Sequence, residues 1–371
     1  MDWEGQQAYA YWLECVWGLG RKSRWELVKA AGSPKAAYEM DTEGWRALLP
    51  GKKADALEKA KTECSAERVE EKYRNFCKGD VRYISSVHPD YPGRLRKIPD
   101  PPFGLFLLGE MPQEKTPAIA VIGARECSEY GRYVAQEASK ALARKGIPVI
   151  SGMARGIDSI SQWAALQAGG KSYGILGNGV DVCYPAQNRK LYETLKTKGG
   201  LLSEYLPGTQ PQAGLFPMRN RIISGLSDVV LIVEARERSG TLITADMALE
   251  QGKEVYVAPG RLTDPLSRGC NRLVKQGAGV LVSIEEMLEE TGLAESLWKQ
   301  TQQEGKADWG KERKRPAQKG VFRYLDFYPK GVGQLQQESG MEYREIVCEL
   351  MELCIDNRAE QVSAGQYIKK E

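Results

Sequence analysis

Seven short apolar runs between residues 117 and 290 constrain the fold of this 371-residue chain more than any other feature. Each run is continuous rather than alternating, which indicates a strand covered on both faces and hence a mainly parallel sheet. Helical segments separate the runs, so right-handed crossovers predict a doubly wound, Rossmann-like α/β core. The runs lie at 119–122, 149–150, 173–176, 201–202, 229–233, 255–257 and 280–282.

Smaller units are predicted on both sides of this core, which we place at residues 80–290. Residues 1–79 predict a helical domain, because apolar and aromatic residues recur at helical spacing between glycine breaks. Its Gly18-Leu19-Gly20 turn fits a helix-hairpin-helix (SAM-like) unit that holds a phosphate, and it also fits a plain helical cap. The core itself begins with a proline-rich connector in which 103–108 is a candidate edge strand.

The C-terminal part predicts a linker and a small final domain. Residues 291–318 are polar and charged, which is typical of a flexible linker. Residues 319–371 contain three helical patterns followed by a candidate hairpin, and this order predicts a winged helix. The helical patterns lie at 321–325, 332–339 and 343–353, and the hairpin strands at 359–362 and 366–368.

Composition excludes several classes of protein. The net charge is only +3, so any nucleic-acid footprint must be local. The eight cysteines form no C-x-x-C pair and there is one histidine, so we expect neither a zinc site nor another metal. The chain opens without a secretory signal and lacks an apolar stretch of about 18 residues, which predicts a cytoplasmic protein away from membranes. No Walker loop is present, and we expect no cofactor.

Two glycine-bearing loops follow the first two core strands. Gly123 and Arg125, with Ser128 before the next helix, combine a close backbone approach with a guanidinium that suits phosphate. Ser151, Gly152 and Gly156 predict an amide nest for an anion, with Arg155 beside it. Asp158 opens the helix that follows, where its ordinary role is a helix cap.

Three further clusters follow later strands. Tyr184 is placed to stack a base or to pack in the core, with Asn178, Asn188 and Arg189 around it. Arg219, Asn220 and Arg221 follow Pro217, and two cations in a first helical turn oppose the helix dipole, which suggests an anionic partner or a carboxylate elsewhere. Arg238 precedes a phosphate cradle formed by Ser239, Gly240 and Thr241 at a helix start.

The carboxyl ends of parallel strands share one edge of a sheet, so we expect these loops to converge. Their arginines then form a local site for a polyanion. The predicted binding residues are Gly123, Arg125, Ser128, Ser151, Gly152, Arg155, Gly156, Asn178, Tyr184, Asn188, Arg189, Arg219, Asn220, Arg221, Arg238, Ser239, Gly240 and Thr241.

These segments together resemble the DprA/Smf family of DNA-processing proteins, from about residue 85 to 283. The resemblance implies a Rossmann-like core that binds single-stranded DNA and dimerises, and that loads the RecA recombinase and protects incoming DNA in natural transformation. It also implies a helical N-terminal domain and a winged-helix C-terminal one, and no catalytic residue. The chain departs from the family at Gln162, where members often carry histidine, and at Ala186 and Ala213, where basic residues are common, which predicts a less positive pocket.

Two other functions remain open on the sequence. Similar Rossmann-like folds include nucleoside-monophosphate glycosidases, which need positioned carboxylates, and Asp158, Glu204 and Glu234 are candidates. The loop after 255–257 lacks the Pro-Gly-Gly-x-Gly-Thr run of that class, since Pro259-Gly260 leads to Arg261. The third function is a scaffold for a recombinase, with the glycine-rich edge serving structure alone.

Overall fold

The computed structural model describes residues 3–295 and 320–370, so most of the predicted linker at 291–318 lies outside the described residues. None of the helices in these two ranges is long and apolar enough to span a membrane.

The N-terminal unit is helical, as the spacing of its apolar residues predicts. Its helices are α1 (Trp3–Cys15), α2 (Arg21–Ala31), α3 (Pro34–Glu39), α4 (Thr42–Leu48), α5 (Gly51–Thr62) and α6 (Ala66–Phe76). Local caps set several of their ends. The Ser33 hydroxyl accepts a hydrogen bond from the Ala36 amide at the start of α3, and the Asp41 carboxylate accepts one from the Gly44 amide at the start of α4.

The core is built on one sheet of nine strands. They are β1 (Arg82–Ser85), β2 (Gly104–Gly109), β3 (Ile119–Ile122), β4 (Val149–Ser151), β5 (Ser172–Ile175), β6 (Gly199–Ser203), β7 (Val229–Ile232), β8 (Glu254–Val257) and β9 (Gly279–Val280). Their order is β1-β2-β6-β5-β4-β3-β7-β8-β9, and the pairs from β6 to β9 are parallel. The predicted doubly wound, mainly parallel core is therefore confirmed, and its topological switch point lies at β3, between β4 and β7.

The proline-rich connector differs from its prediction. The candidate edge strand became β2, which lies inside the sheet because β1 pairs with it antiparallel on one side and β6 on the other. β1 was not predicted. It has four residues, too few to establish a pattern, and β2 supplies the pairing that makes it a strand.

Helices cover both faces of this sheet. They are α7 (Gly93–Arg96), α8 (Glu129–Arg144), α9 (Ile157–Gln167), α10 (Arg189–Lys198), α11 (Leu215–Leu226), α12 (Gly240–Glu250), α13 (Arg268–Lys275) and α14 (Ile284–Glu290). A single 3-10 turn, Ala186–Asn188, precedes α10.

The N-terminal helices and the sheet share one apolar core. Tyr9, Leu13 and Trp45 belong to the same buried cluster as Phe106 of β2 and Leu195 of α10. Each such side chain contributes about 1.5–3 kcal/mol when fully buried. The helical unit is therefore packed onto the part of the sheet formed by β1, β2 and β6, with no separate apolar core at the predicted boundary near residue 79.

The described C-terminal unit has its own apolar cluster, which includes Phe322, Leu335 and Leu350. Its elements are a 3-10 turn (Val321–Arg323), β10 (Lys330–Gly331), α15 (Val332–Ser339), α16 (Tyr343–Ile355), β11 (Ala359–Ser363) and β12 (Gln366–Lys369). The strand order is β10-β12-β11. The predicted helix at 321–325 is only a single turn, and the assignment as a winged helix stays a prediction.

Candidate nucleic-acid interface

A cleft of about 590 Å³ opens at the carboxyl ends of β3, β4 and β7, beside the switch point of the sheet. We call it the edge cleft. Loops from five parts of the chain meet there, which is the convergence expected for a parallel sheet. The predicted residues that line it are Gly123, Arg125, Arg155, Tyr184, Arg219, Asn220, Ser239, Gly240 and Thr241.

Gly156 fixes the first two loops against each other. Its φ is +75° and its ψ is −134°, a backbone conformation that glycine adopts and that L side chains rarely do. A Cβ at this position would meet the carbonyl oxygens of Ala124 and Arg125. The Ile157 amide then donates to the Ala124 carbonyl at 3.1 Å. Gly156 does not line the cleft, but it holds the backbone that carries Arg125.

The predicted anion nest is filled by the protein's own carboxylate. Asp158 is buried, and it accepts a hydrogen bond from the Gly152 amide at 3.1 Å. Burial raises the pKa of Asp158, whereas the Arg219 guanidinium and the backbone amides of Gly152, Ala154 and Gly123 lower it. The amides proposed for a phosphate thus serve Asp158, and a ligand must meet the cleft through other groups.

Arg219 forms the floor of the cleft. Its guanidinium donates to the Gly152 carbonyl at 2.7 Å and to the Ile175 carbonyl, and the side chain is buried. Burial and, to a smaller extent, the nearby Arg125 lower the pKa of Arg219 to about 10, although Asp158 raises it. Arg219 therefore remains charged at neutral pH and fixes positive potential below the opening.

Arg125 and Arg155 lie at the opening and are exposed. Within the described residues, neither guanidinium has an ion pair or a side-chain hydrogen bond. Glu126 and Asp158 are the carboxylates of the lining, against Arg125, Arg155, Arg219 and Arg236. The cleft is consequently positive in a chain that is almost neutral as a whole.

An aromatic pair forms one wall. The rings of Tyr184 and Phe216 are stacked, with centroids 5.4 Å apart and planes at 30°. Tyr184 is 44% exposed, so one face of its ring remains open to a ligand. Stacking on aromatic rings is the sequence-tolerant way in which proteins hold unpaired bases.

The start of α12 forms another part of the wall. Ser239 is the N-cap, its hydroxyl has no hydrogen-bond partner within the described residues, and the first turn holds no acidic residue. The Thr241 hydroxyl donates to the Gly123 carbonyl at 3.3 Å, which ties this helix to the loop after β3. Uncapped amides at a helix start attract anions.

Several predicted residues lie outside the cleft and hold its loops. Ser128 caps α8 and bonds Glu234 through both its amide and its hydroxyl. The Ser151 hydroxyl donates to the Val121 carbonyl at 2.7 Å. Asn178 is buried and donates to backbone carbonyls of its own turn.

Others meet solvent or join neighbouring loops. Asn188 donates to the Met153 and Ala154 carbonyls and so ties the turn after Tyr184 to the loop after β4. Arg189 is exposed and pairs with Glu193 at 3.5 Å. Arg238 is exposed but does not line the cleft.

Arg221 has carboxylate partners rather than a ligand, and the structure corrects the reasoning that placed it in the site. The helix α11 begins at Leu215, so Arg219 and Arg221 lie in its second turn, where the dipole argument has little force. Arg221 is buried and pairs with Glu204 at 2.6 Å and Asp100 at 3.2 Å. For Arg221, the structure therefore agrees with the second interpretation of the sequence, in which carboxylates of the protein rather than an anionic ligand pair with the guanidinium.

The family departures have different structural consequences. Gln162 is buried on α9 and donates to the Tyr173 carbonyl at 3.1 Å. Ala213 lines the cleft, whereas Ala186 does not.

Sequence reasoning missed other lining residues, of which Arg236 is the most informative. It follows the buried segment Val233-Glu234-Ala235 just beyond the end of β7, and that position after a strand end was the available signal. The other lining residues outside the predicted set are Ile122, Ala124, Glu126, Ala154, Asp158, Pro211, Ala213, Phe216, Pro217, Ile223, Ile243 and Thr244. Within residues 3–295 and 320–370, no group of three His, Cys, Asp or Glu side chains is placed to hold a metal ion.

Fold and site together define a class of protein, a Rossmann-like α/β protein with an arginine-lined cleft at the switch point of its sheet. The family described as DNA recombination-mediator protein A matches residues 82–292. The chain belongs to this family, and the resemblance to the DprA/Smf family is confirmed.

Relatives agree with this assignment. DNA processing protein DprA of Bacillus subtilis (strain 168) is 44% identical over 211 residues, which cover 57% of this chain and 71% of the relative. Protein Smf of Escherichia coli (strain K12) is 44% identical over 200 residues, 54% of each chain. The crystal structure of DprA from Streptococcus pneumoniae superposes with a TM-score of 0.68 at 31% identity, over 76% of this chain and 97% of that one.

A second solved structure concerns DNA processing protein A from Helicobacter pylori and its single-stranded DNA binding mode. Its TM-score is 0.52 at 30% identity, over 57% of this chain and 94% of that chain.

Proposed function

We propose that the edge cleft binds single-stranded DNA and that the chain acts in DNA processing, as its family does. One observation carries the proposal: Arg125 and Arg155 are exposed above a buried Arg219, and neither has an ion pair or a side-chain hydrogen bond with the part of the chain that the structure describes. Two exposed guanidinium groups over a buried one suit successive phosphates of a strand. The Tyr184 ring beside them suits an unpaired base, which a duplex does not offer.

The finer functions rest on the family and on its relatives. We propose that the chain protects incoming DNA and loads the RecA recombinase in natural transformation, as a homodimer in the cytoplasm and without catalytic activity of its own. The names of the Bacillus and Streptococcus relatives, and the DNA binding of the Helicobacter protein, support the DNA part of this proposal.

The carboxylates do not favour the glycosidase alternative. Glu204 is paired with Arg221, Glu234 is bonded to Ser128, and Asp158 is held by backbone amides. Burial raises the pKa of both Asp158 and Glu234. Glu126 is thus the exposed carboxylate of the lining, and a single one does not supply both an acid and a base.

A gel shift with single-stranded and duplex oligonucleotides of equal length tests the proposal, beside an assay for free base released from nucleoside monophosphates. We expect tighter binding to the single strand and a log–log salt slope of about −0.7 per phosphate neutralised. Equal affinity for both forms would contradict the single-strand site. Release of free base would establish the enzymatic alternative.

A further inference from the structure

A second cleft of about 500 Å³ lies between α8, α9 and the start of α10. We call it the side cleft. It shares no lining residue with the edge cleft, and nothing above assigns it a role.

The lining of the side cleft has an unusual chemistry. Three amide side chains face it, Gln136, Gln167 and Gln187, together with two cations, Arg132 and Lys190. No carboxylate lines it. Within the described residues none of the three amides has a hydrogen-bond partner, and Arg132 has only a partly exposed pair with Glu129 at 3.3 Å. Amides that both donate and accept suit the edge of a nucleobase, and cations suit its phosphate.

Trp163 supplies the apolar surface that a base needs. It lines the side cleft and also packs against the buried cluster that the N-terminal helices share with the core. The indole is thus partly exposed and is held from behind. An aromatic ring fixed in this way can stack a base without first losing its own freedom of motion.

The two clefts are joined by the same elements. Arg155 of the edge cleft lies two residues before the first residue of α9, and Trp163 lies on that helix. Tyr184 of the edge cleft precedes the 3-10 turn, and Lys190 follows it. From Ile157 to Trp163 the helix rises about 9 Å. This corresponds to about two or three nucleotides at the duplex spacing of 3.4 Å per strand.

The geometry points to the side cleft as a second subsite for the same single strand, where an unpaired nucleobase stacks on Trp163 and meets the glutamine amides. Lys190 then neutralises a phosphate between the two clefts. This inference rests on the proposed function of the edge cleft, and it adds a base-dependent contact to a site that otherwise recognises backbone.

Three 15-nucleotide dT probes test it by fluorescence anisotropy on the full chain: one intact, one abasic over its 5′ third and one abasic over its 3′ third. The parent protein should bind one of the abasic probes about tenfold more weakly than the intact probe, since stacking of a base contributes on that order. The double variant Gln136→Ala/Gln167→Ala should reduce this difference in affinity between the abasic and intact probes to about twofold or less. Trp163→Leu should do the same where circular dichroism shows it folded.

Charge is tested separately on α10. Lys190→Ala should make the log–log salt slope shallower by about 0.7, the contribution of one phosphate. Lys198→Ala removes an exposed lysine at the far end of the same helix and should leave the slope unchanged.

The outcomes separate the two proposals. The side-cleft subsite is overturned if the parent protein binds both abasic probes as tightly as the intact probe. It is also overturned if the glutamine double variant discriminates between the abasic and intact probes as strongly as the parent protein does. Arg125→Ala should weaken binding to all three probes alike. If Arg125→Ala binds every probe as tightly as the parent, the edge-cleft proposal fails, whether or not the parent protein discriminates against an abasic probe.

Discussion

Arg219 and Arg221 stand two positions apart on α11, and their guanidinium groups serve different parts of the molecule. Arg219 donates to the Gly152 and Ile175 carbonyls in the floor of the edge cleft. Arg221 joins Glu204 to Asp100, and Asp100 in turn accepts hydrogen bonds from Arg21 of the N-terminal unit. The same helix therefore carries a charge of the proposed binding site and an anchor to the helical unit.

Loss of the anchor should cost stability rather than DNA affinity. Arg221→Ala leaves two carboxylates without their shared cation, and breaking a buried pair costs about 3–5 kcal/mol. We expect the urea midpoint to fall accordingly. Well below that midpoint, single-strand affinity should stay within about twofold of the parent. If a folded Arg221→Ala protein binds single strands about tenfold more weakly, Arg221 contributes to DNA binding and this prediction is wrong.

Arg125→Ala should weaken single-strand binding about tenfold to over a hundredfold. A held guanidinium on phosphate contributes about 1.5–3 kcal/mol, as charged hydrogen bonds do. Arg125→Lys should recover only part, because an ammonium does not reproduce the fork. Arg144→Ala is the matched control, since Arg144 is also exposed but ends α8 at the opposite edge of the sheet. Anisotropy titrations on folded variants measure the difference. Equal losses for Arg125→Ala and Arg144→Ala would mean that general charge, not this loop, governs binding.

The sequence predicts most of the sheet because strands such as β3 and β7 are buried on both faces and need continuous apolar residues. It also predicts that Arg125, Arg155 and Arg219 converge, since loops that follow parallel strands share an edge.

Other features depend on contacts between distant segments. Asp158 fills the amide nest only because the loops after β3 and β4 supply its amides together. The partners of Arg221 lie 17 and 121 positions away in the chain. Local patterns contain no record of such pairs.

Burial of Glu14 should make the stability of the helical unit depend on pH. Burial raises the pKa of this carboxyl to about 7, although the Arg24 guanidinium 2.5 Å away lowers it. Folding therefore favours the neutral acid. The corresponding stability is present below the ordinary pKa of 4.5 and is lost as pH rises through about 7.

Replacement by glutamine removes this dependence. The free energy of unfolding of Glu14→Gln, relative to that of the parent, should increase by about 1–3 kcal/mol from pH 5 to pH 8. Loss of the ion pair with Arg24 adds a constant to this difference and does not change its increase with pH. Glu70→Gln, exposed on α6, is the control and should give a constant difference. Chemical denaturation at the two pH values measures both. A Glu14→Gln offset that does not change with pH would show that Glu14 stays charged when buried.

Gly156→Ala should damage the edge cleft beyond the cost of backbone strain. The added Cβ meets the carbonyls of Ala124 and Arg125, so the loop that carries Arg125 must move. Gly169→Ala is the matched control, because Gly169 also has a positive φ but nothing within 4 Å of the new Cβ. Both variants should lose about 1 kcal/mol to strain, and Gly156→Ala more. Only Gly156→Ala should bind single strands more weakly than the parent. If Gly156→Ala binds them as tightly as the parent, the position of this loop does not determine DNA binding.

The proposed homodimer should depend on the outer strand β9. This strand ends the sheet, so one row of its backbone groups is unpaired, and Val280 and Val282 beside it are 39% and 70% exposed. Leu273 on α13, by contrast, is buried in the core. An exposed apolar strand edge is a common route to two-fold pairing.

Light scattering of the full chain at tens of micromolar, on the order suited to a weak assembly, should therefore give the dimer mass. Val280→Glu/Val282→Glu should give the monomer mass, because four carboxylates would face each other across the two-fold axis. Leu249→Glu, an exposed leucine on α12, is the control and should remain dimeric. A parent that is monomeric throughout this range would exclude the dimer, and a double variant that stays dimeric would place the interface elsewhere.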